Sequence, residues 1–471
     1  MALKRRDEES SVEKKKKKRV GFAGIDSGIV ANECIKIFLV SREEEVDATS
    51  SSSIDPVDIN LFFGEEGKIY GYNGLKINVW VSSISFHAYA DIMFESTSDG
   101  GKGITDLKPA LQKIFGESLV EKKIFLQSFS TERQYIRNVV SDGAVICHNA
   151  VGGKDNYLDT GKHVDDADST IEVIRMHLNS MPVGVLYSRL VPLVLLLVEG
   201  SRPVDITDPR WEIYFVVKKT PDQLGDVFLE LLGFTTVYWF YHYPDTTRLR
   251  ISQILVLPPY QGQGFGRLLL ESVNSVAVSD NVYDVTVEEP SDYLQHLRAC
   301  MDTFRLLTFE SARAAAASLA LYIKGANFSN RARKFRLDPP ARVIENVRDK
   351  FKINKKQLLR CWEILVYLNL DTENDRCMEH FRGIVSDRVK DDILDKDAGK
   401  DEKQLMDVPN DYNHEMTFVV FRSPNTGNPN SLYGNGGLDE TSREKQLNQL
   451  VDERVEEIAE IAKRVSMIQK P

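Results

Sequence analysis

The run Ile254-Leu255-Val256-Leu257-Pro258-Pro259-Tyr260-Gln261-Gly262-Gln263-Gly264-Phe265-Gly266-Arg267 joins an apolar strand to a glycine-rich turn and the start of an amphipathic helix. Glycines at 262, 264 and 266 bare the backbone, and a side chain at any of them would obstruct close approach of a ligand. N–H groups gathered where a helix begins collect phosphate. Arg267 adds a cation to the first helical turn, where the backbone dipole is already positive. That placement costs roughly 0.3–1 kcal/mol alone and becomes favourable beside an anion. Two common phosphate loops are excluded by spacing. From Gly262 a dinucleotide fingerprint would need its third glycine where Arg267 stands, and a P-loop would need Lys-Ser/Thr where Arg267-Leu268 follow Gly266. What fits is Gln-x-x-Gly-x-Gly, filled by Gln261, Gly264 and Gly266.

A second chemistry-bearing stretch lies at 283–289. Strand side chains alternate, so Asp284, Thr286 and Glu288 share one face, and Val285, Val287 and Glu289 the other. The two valines mark their face as core, which leaves Glu288 as the carboxylate able to point at a cleft. Such a group could deprotonate an amine. Making lysine neutral at pH 7 costs about 4–5 kcal/mol, and a positioned base contributes roughly 10²–10⁴-fold in rate. Spacing alone also fits a plain strand-end carboxylate, which is the commoner case.

These residues need a frame, and the chain is long enough to build one. At 471 residues it holds two or three domains. Hydrophobic content of 42% against 28% charged residues describes a soluble globular protein. The longest apolar run, 183–198, is interrupted by Gly184, Arg189 and Pro192, and it is shorter than the roughly 20 residues of a membrane span. Residues 1–20 hold nine Lys/Arg against four acids and lack the apolar core of a secretory signal. With a net charge of −10 overall, the rest of the chain carries about −15. An acidic body does not suit direct nucleic-acid binding and does suit a basic substrate. The basic hexamer at 14–19 fits nuclear import or a merely solvated tail. Five scattered cysteines (Cys34, Cys147, Cys300, Cys361, Cys377) without a C-x-x-C pair indicate a reducing compartment and no metal.

Periodicity predicts strands at 34–40 and 75–81, with a Ser-rich acidic loop at 43–56. It predicts further strands at 211–217, 235–241, 248–257 and 283–289. Strands, a helix and a further strand in this order give a mixed sheet with a crossover helix, hence an α+β fold. From 301 to about 400 the pattern is helical, including an Ala-rich helix at 310–320 and an amphipathic one at 351–370. Thr441-x-x-Glu444 reads as a capping box. The helix after it carries Leu447, Val451, Ile458, Ile461 and Val465 near heptad spacing, to pack on its own domain or on a partner helix. The expected organisation is a disordered basic tail (1–30), an N-terminal, mainly β domain (31–181), a catalytic domain (182–303), a helical domain (304–400), and a loop at 409–437 leading to a last helix (401–471).

The Gln-x-x-Gly-x-Gly loop after an apolar strand resembles the acetyl-CoA pyrophosphate loop of the GNAT acetyltransferases. A more specific resemblance adds Thr286-Val287-Glu288-Glu289-Pro290-Ser291, then Leu297-Arg298, then Phe351-Lys352-Ile353-Asn354-Lys355, all in this order. Together they resemble the catalytic subunit of type B histone acetyltransferases, strongest over 211–298 and 351–365, weaker at Phe62–Glu66 and Tyr70–Ile77. The resemblance implies acetyl-CoA as co-substrate and soluble, newly made histone H4, carried as histone H3–H4, as acceptor before chromatin assembly. It implies a WD-repeat histone chaperone as partner, and residence in nucleus and cytoplasm. It places Glu288 as general base with Asp284 as helper. It places Ile254, Leu255 and Val256 against the pantetheine arm, and Gln261, Gly262, Gln263, Gly264, Phe265, Gly266 and Arg267 at the diphosphate, with Ser291 also on the cofactor. Histone-tail contacts fall on Glu65, Glu66, Tyr238, Trp239 and Phe240. The residues themselves keep alternatives open: loop acids are usually only solvated, and Tyr238–Phe240 also fits an aromatic core strand. Two rival functions are an acetyltransferase for another amine and a non-catalytic histone-binding adaptor.

Overall fold

The computed structural model describes residues 27–47, 52–57, 59, 62–64, 66–99, 101–150, 169–221, 226–325, 338–398 and 440–469. The chain forms two compact units, one of residues 1–139 with 181–204, the other of residues 140–180 with 205–471. Of the basic tail expected at 1–30, residues 1–26 lie outside the described residues, as does the loop expected at 409–437, while Ile29–Val30 form a strand.

The first unit contains strands β1 (Ile29–Val30), β2 (Ile35–Val40), β3 (Ser53–Ile54), β4 (Lys68–Ile69), β5 (Tyr72–Asn73), β6 (Lys76–Ser82), β7 (Ala88–Met93) and β8 (Ser96–Thr97). The alternating segments expected as strands are β2 and β6, which pair in parallel at the centre of a sheet ordered β3-β2-β6-β7. Helices α1 (Ala31–Cys34), α2 (Leu107–Phe115), α3 (Lys122–Thr131), α4 (Tyr135–Val140) and α5 (Met181–Leu197) accompany them. The mainly β reading of this region did not single out α2 to α4. Their signal was present: Leu107, Leu111, Ile114 and Phe115 recur at helical spacing and are the buried face of α2. The apolar run at 183–198 is α5. Leu186, Tyr187, Leu190, Leu193, Val194 and Leu196 are buried, while Met181, Val185 and Ser188 are exposed. It groups with the first unit, so the boundary expected at 182 does not divide the compact bodies.

The second unit contains β9 (Ala144–Ala150), β10 (Thr170–His177), β11 (Trp211–Pro221), β12 (Val227–His242), β13 (Thr246–Val256) and β14 (Val285–Val287). They form one sheet in the order β14-β13-β12-β11-β10-β9. Every neighbouring pair is antiparallel except β13 and β14, which run parallel. A parallel pair needs a crossover, and α6 (Phe265–Ser279) supplies it. Leu269, Val273, Val276 and Ala277 of α6 bury themselves on Val173, Tyr214, Val216, Leu249 and Ile251 of the sheet. Each leucine, valine or isoleucine among them contributes roughly 1.5–3 kcal/mol on leaving water. The core therefore fixes the start of α6 against the end of β13, where the glycine turn lies.

One irregularity in this sheet matters. The β12–β13 ladder pairs Val237 with Ile251 and Thr236 with Gln253, which leaves Ser252 without an opposite residue. A bulge of this kind reverses the side-chain parity. Leu249 and Ile251 face α6 before it, and Ile254 and Val256 return to that face after it.

Helices α7 (Asp292–Leu307), α8 (Glu310–Gly325), α9 (Ala341–Phe351), α10 (Lys355–Tyr367), α11 (Asp375–Ala398) and α12 (Glu440–Gln469) form a second core around Leu358, Trp362, Leu365 and Phe381. Val451, Ile458, Ile461 and Val465 of α12 join that core, so α12 docks on its own unit. Its described residues begin at Glu440, which puts Thr441 inside the helix and not at an N-cap. The helix expected at 351–370 is α10, which starts later than expected: α9 ends at Phe351, Lys352 takes a left-handed conformation, and α10 begins at Lys355.

Candidate active site

After β13 the chain makes a short 3-10 turn over Pro258–Tyr260 and enters the glycine loop. Both glutamines brace it: Gln261 Nε2 donates to the Val256 carbonyl at 2.9 Å, and Gln263 Nε2 to the Pro259 carbonyl at 3.2 Å. Gly262 and Gly264 have φ of +76° and +90°, values that side chains rarely adopt. A Cβ at either would meet nothing within 4 Å, so the space above the loop is open. Gly266 differs, since its Cβ would make only ordinary 3.8 Å contacts with Leu297 and Val256. Only a ligand lying close would require glycine there. Gly264 is the N-cap of α6 and supplies no side-chain cap, so the first N–H groups of the helix face outward without an intrahelical acceptor. Arg267 is less available than its position suggested, because Nε already donates to Glu271 at 2.8 Å.

Beside this loop the sheet opens. Strand β14 pairs only with Leu249–Ile251 of β13. The last bond runs from the Glu288 N–H to the Ile251 carbonyl at 2.9 Å. Beyond it β13 has a free edge among the described residues. The Leu257 N–H donates to the Leu232 carbonyl, which fixes the alternation of the strand. Leu255 turns its main chain toward β12, while Ile254 and Val256 turn theirs to the open edge. Of the three residues expected on the pantetheine arm, Leu255 is thus spent on the sheet and is buried.

Glu288 stands at the mouth of this opening and is exposed. Its Oε2 accepts a hydrogen bond from Ser252 Oγ at 2.7 Å. The expected helper, Asp284, is elsewhere. It lies four residues back along the strand, about 13 Å away, with a buried side chain clamped by Arg248 through Nε–Oδ1 (2.5 Å) and Nη2–Oδ2 (2.9 Å). Removing one partner from a buried pair leaves the other uncompensated. Arg248→Ala is therefore expected to cost about 3 kcal/mol or more of stability, read by chemical denaturation, with kcat per folded molecule little changed. A large loss of kcat in a fully folded Asp284→Ala protein would restore the helper role.

The outer edge of β14 is also held. The Val285 N–H donates to the Lys352 carbonyl at 2.8 Å. The Val285 carbonyl accepts from Arg298 Nη2 and from Asn354 Nδ2, both at 2.8 Å. Asn354 in addition caps α10 by accepting from the Gln357 N–H. The motifs around Arg298 and 351–355 thus buttress the strand that carries Glu288. Beyond Glu288 the chain turns away through Glu289, whose φ is +37°. Ser291 then caps α7, accepting from the Leu294 N–H at 3.4 Å.

The aromatic stretch divides as alternation requires. Tyr238 and Phe240 share a face with Trp211, ring centroids 4.7 Å (Trp211–Tyr238) and 4.5 Å (Tyr238–Phe240) apart. Arg210 lies over Tyr238 and Arg250 over Phe240. Tyr238 donates to Asp208 Oδ2 at 2.9 Å, and Arg210 holds that carboxyl below the usual range. Trp239 faces the other way, packs on the α6 core, and lies under Arg175. It is half-buried and turned to the opposite face from Tyr238 and Phe240. Trp211 and Asp208, not singled out in the sequence, belong with Tyr238. In the first unit, Glu66 is exposed, and its carboxyl is held low by a hydrogen bond from Tyr70 and by Lys102 and Lys68. Glu65 lies outside the described residues. Burial pushes the Cys300 thiol up to about 11, which removes it as a thiolate nucleophile at neutral pH.

Two family models match the chain: Histone acetyl transferase HAT1 N-terminus over residues 28–199, and Acetyltransferase (GNAT) family over residues 201–297. The second span contains β11 to β14, the glycine loop and α6. A histone acetyltransferase type B catalytic subunit of Zea mays is 49% identical over 470 residues, covering 99% of this chain and 97% of the relative. Its counterpart in Arabidopsis thaliana is 50% identical over 457 residues, covering 96% of each. The one in Rattus norvegicus is 25% identical over 357 residues, covering 74% of this chain and 77% of the relative.

Proposed function

This chain belongs to the family of histone acetyltransferase type B catalytic subunits and is an acetyltransferase of the GNAT family, and on that premise we propose that it acetylates a lysine in the N-terminal tail of soluble, newly made histone H4, with Glu288 as general base. Acetyl-CoA supplies the acetyl group as a thioester. The residues present fit it: an uncapped helix start behind Gly262 and Gly264 suits a diphosphate, and the open main-chain edge at Ile254, with the Val256 N–H beside it, suits the amides of a pantetheine arm, the Val256 carbonyl being engaged by Gln261.

The chain's own work is then binding, orientation and one proton transfer. Glu288, directly or through a water, takes the ammonium proton of the lysine. Main-chain donors of the open β13 edge hold the carbonyl oxygen as negative charge develops on it. Transfer is direct, since no cysteine at the site is poised as a nucleophile. The half-buried aromatic face of Trp211, Tyr238 and Phe240 can sleeve a lysine stem, and the net negative body attracts a basic tail. The same reading gives histone H3–H4 as the physiological acceptor, a WD-repeat histone chaperone as partner, a place before chromatin assembly, and residence in nucleus and cytoplasm. The basic run at 14–19 supports nuclear entry.

The observation that carries this reading is the Glu288 carboxylate at the mouth of the β13–β14 opening, beside the open main-chain edge at Ile254. Mass spectrometry of free histones incubated with the protein and acetyl-CoA tests it. Acetyl groups should accumulate on the H4 tail well before other histones, and spermine should be a poor acceptor. Preferential acetylation of spermine, or of another histone, would overturn the assignment of H4.

A further inference from the structure

We propose that Ser252, the bulged residue of β13, is a positioning residue that fixes the carboxylate of Glu288 in its working orientation; this rests on the reading of Glu288 as the base. Nothing in the strand ladder calls for a hydroxyl at this place. Ser252 has no opposite residue on β12, because the register shifts between Thr236 and Val237. Bulges beside active sites re-aim side chains, and this one turns Ser252 Oγ onto Glu288 Oε2 at 2.7 Å. That length is typical of a hydroxyl donating to a carboxylate. The main chain of Glu288 is anchored one residue away, through its N–H on the Ile251 carbonyl, so both ends of the residue are tied to the same turn of β13.

The carboxylate needs such a tie. Glu288 is exposed, sits where the strand ends, and is followed by Glu289 in a left-handed conformation and by Pro290. No other described side chain holds it. A solvated glutamate samples several rotamers, and most would carry the carboxylate away from the open edge of Ile254. With Oε2 engaged by Ser252, Oε1 is left to accept the proton. The bulge therefore does two jobs with one extra residue. It returns Ile254 and Val256 to the α6 face of the sheet, and it supplies the hydroxyl that aims the base. The sequence carries its trace in the broken alternation Leu249, Ile251, then Ile254, Val256.

A double-mutant cycle on the full chain, assayed with free histones and acetyl-CoA, tests this. Ser252→Ala should lower kcat about tenfold, with both KM values within about twofold and the melting curve unchanged. Ser252→Thr, which keeps the hydroxyl, should recover most of the loss. In a Glu288→Gln background, Ser252→Ala should change kcat by less than about twofold, because a residue acting only through the base has nothing left to aim. An equal loss in both backgrounds, or no loss in Ser252→Ala alone, overturns the proposal while leaving the base in place. Wild-type kcat in Glu288→Gln overturns the base assignment and this proposal with it.

Discussion

Glu288→Gln is expected to lower kcat by about 10²–10³-fold while the affinity for acetyl-CoA stays within about twofold of wild type. Glutamine keeps the shape and can still accept the Ser252 hydrogen bond, but it cannot take a proton. The amine must then lose its proton unaided. Since free lysine has a pKa of about 10.4, the reactive fraction near pH 7 is below about one in a thousand. The variant should therefore gain rate about tenfold per pH unit toward pH 10, until folding fails, as the substrate deprotonates itself. Initial rates from pH 6.5 to 9, with calorimetric titration of acetyl-CoA, check both parts. A variant with near-normal kcat at pH 7 would mean that another group removes the proton.

The second large effect concerns binding. Gly264→Val should raise the dissociation constant of coenzyme A by at least tenfold. Two causes act together. The φ of +90° at Gly264 is one that a β-branched residue adopts only with strain, at a cost of about 1–3 kcal/mol. The added methyl groups also enter the open space over the first turn of α6, where nothing in the protein lies within 4 Å of a Cβ. Gly266→Ala separates these causes. Gly266 makes only ordinary contacts and has no positive φ, so any loss of affinity there reports ligand proximity alone. Unaltered coenzyme A binding in Gly264→Val, measured by titration calorimetry, would remove the loop from the cofactor site.

What was legible in the sequence followed from short-range rules. Apolar runs found β2, β6, β11, β12 and β13; β13 alternates as a half-buried strand should, while the centres of β11 and β12 are buried on both faces and read as continuous apolar runs. The glycine spacing at 262–266 found the turn and the start of α6. Valine parity at 285 and 287 correctly turned Glu288 away from the core formed with α6. The same parity misjudged Asp284. A face that alternates away from one core can still be covered by other elements, and here Arg248 closes over the carboxylate. Trp239 shows the same limit: three aromatics on a strand cannot all line one surface, and the middle one packs on the α6 side.

Other features depend on contacts between residues far apart in the chain. The buttress on Val285 joins Arg298, Lys352 and Asn354, and no local pattern announces that 352–354 will line the edge of a strand near 285. The helix expected from 351 starts only at Lys355 for this reason, since Lys352 leaves the helical conformation and Ile353 bridges to Val285. The apolar helix α5 was visible as a run, but its membership of the first unit is a tertiary fact. Ser252 is the intermediate case: the missed beat in alternation was present in the sequence, while its partner, Glu288, lies 36 residues away.

A crystal structure of the protein with bound coenzyme A tests the central claim most directly. The account predicts the diphosphate on the main-chain N–H groups between Gly262 and Arg267, the pantetheine amides paired with Ile254 and Val256, and the sulfur end within reach of Glu288. A diphosphate bound away from the start of α6, or Glu288 turned from the β13–β14 opening with the coenzyme in place, would contradict it.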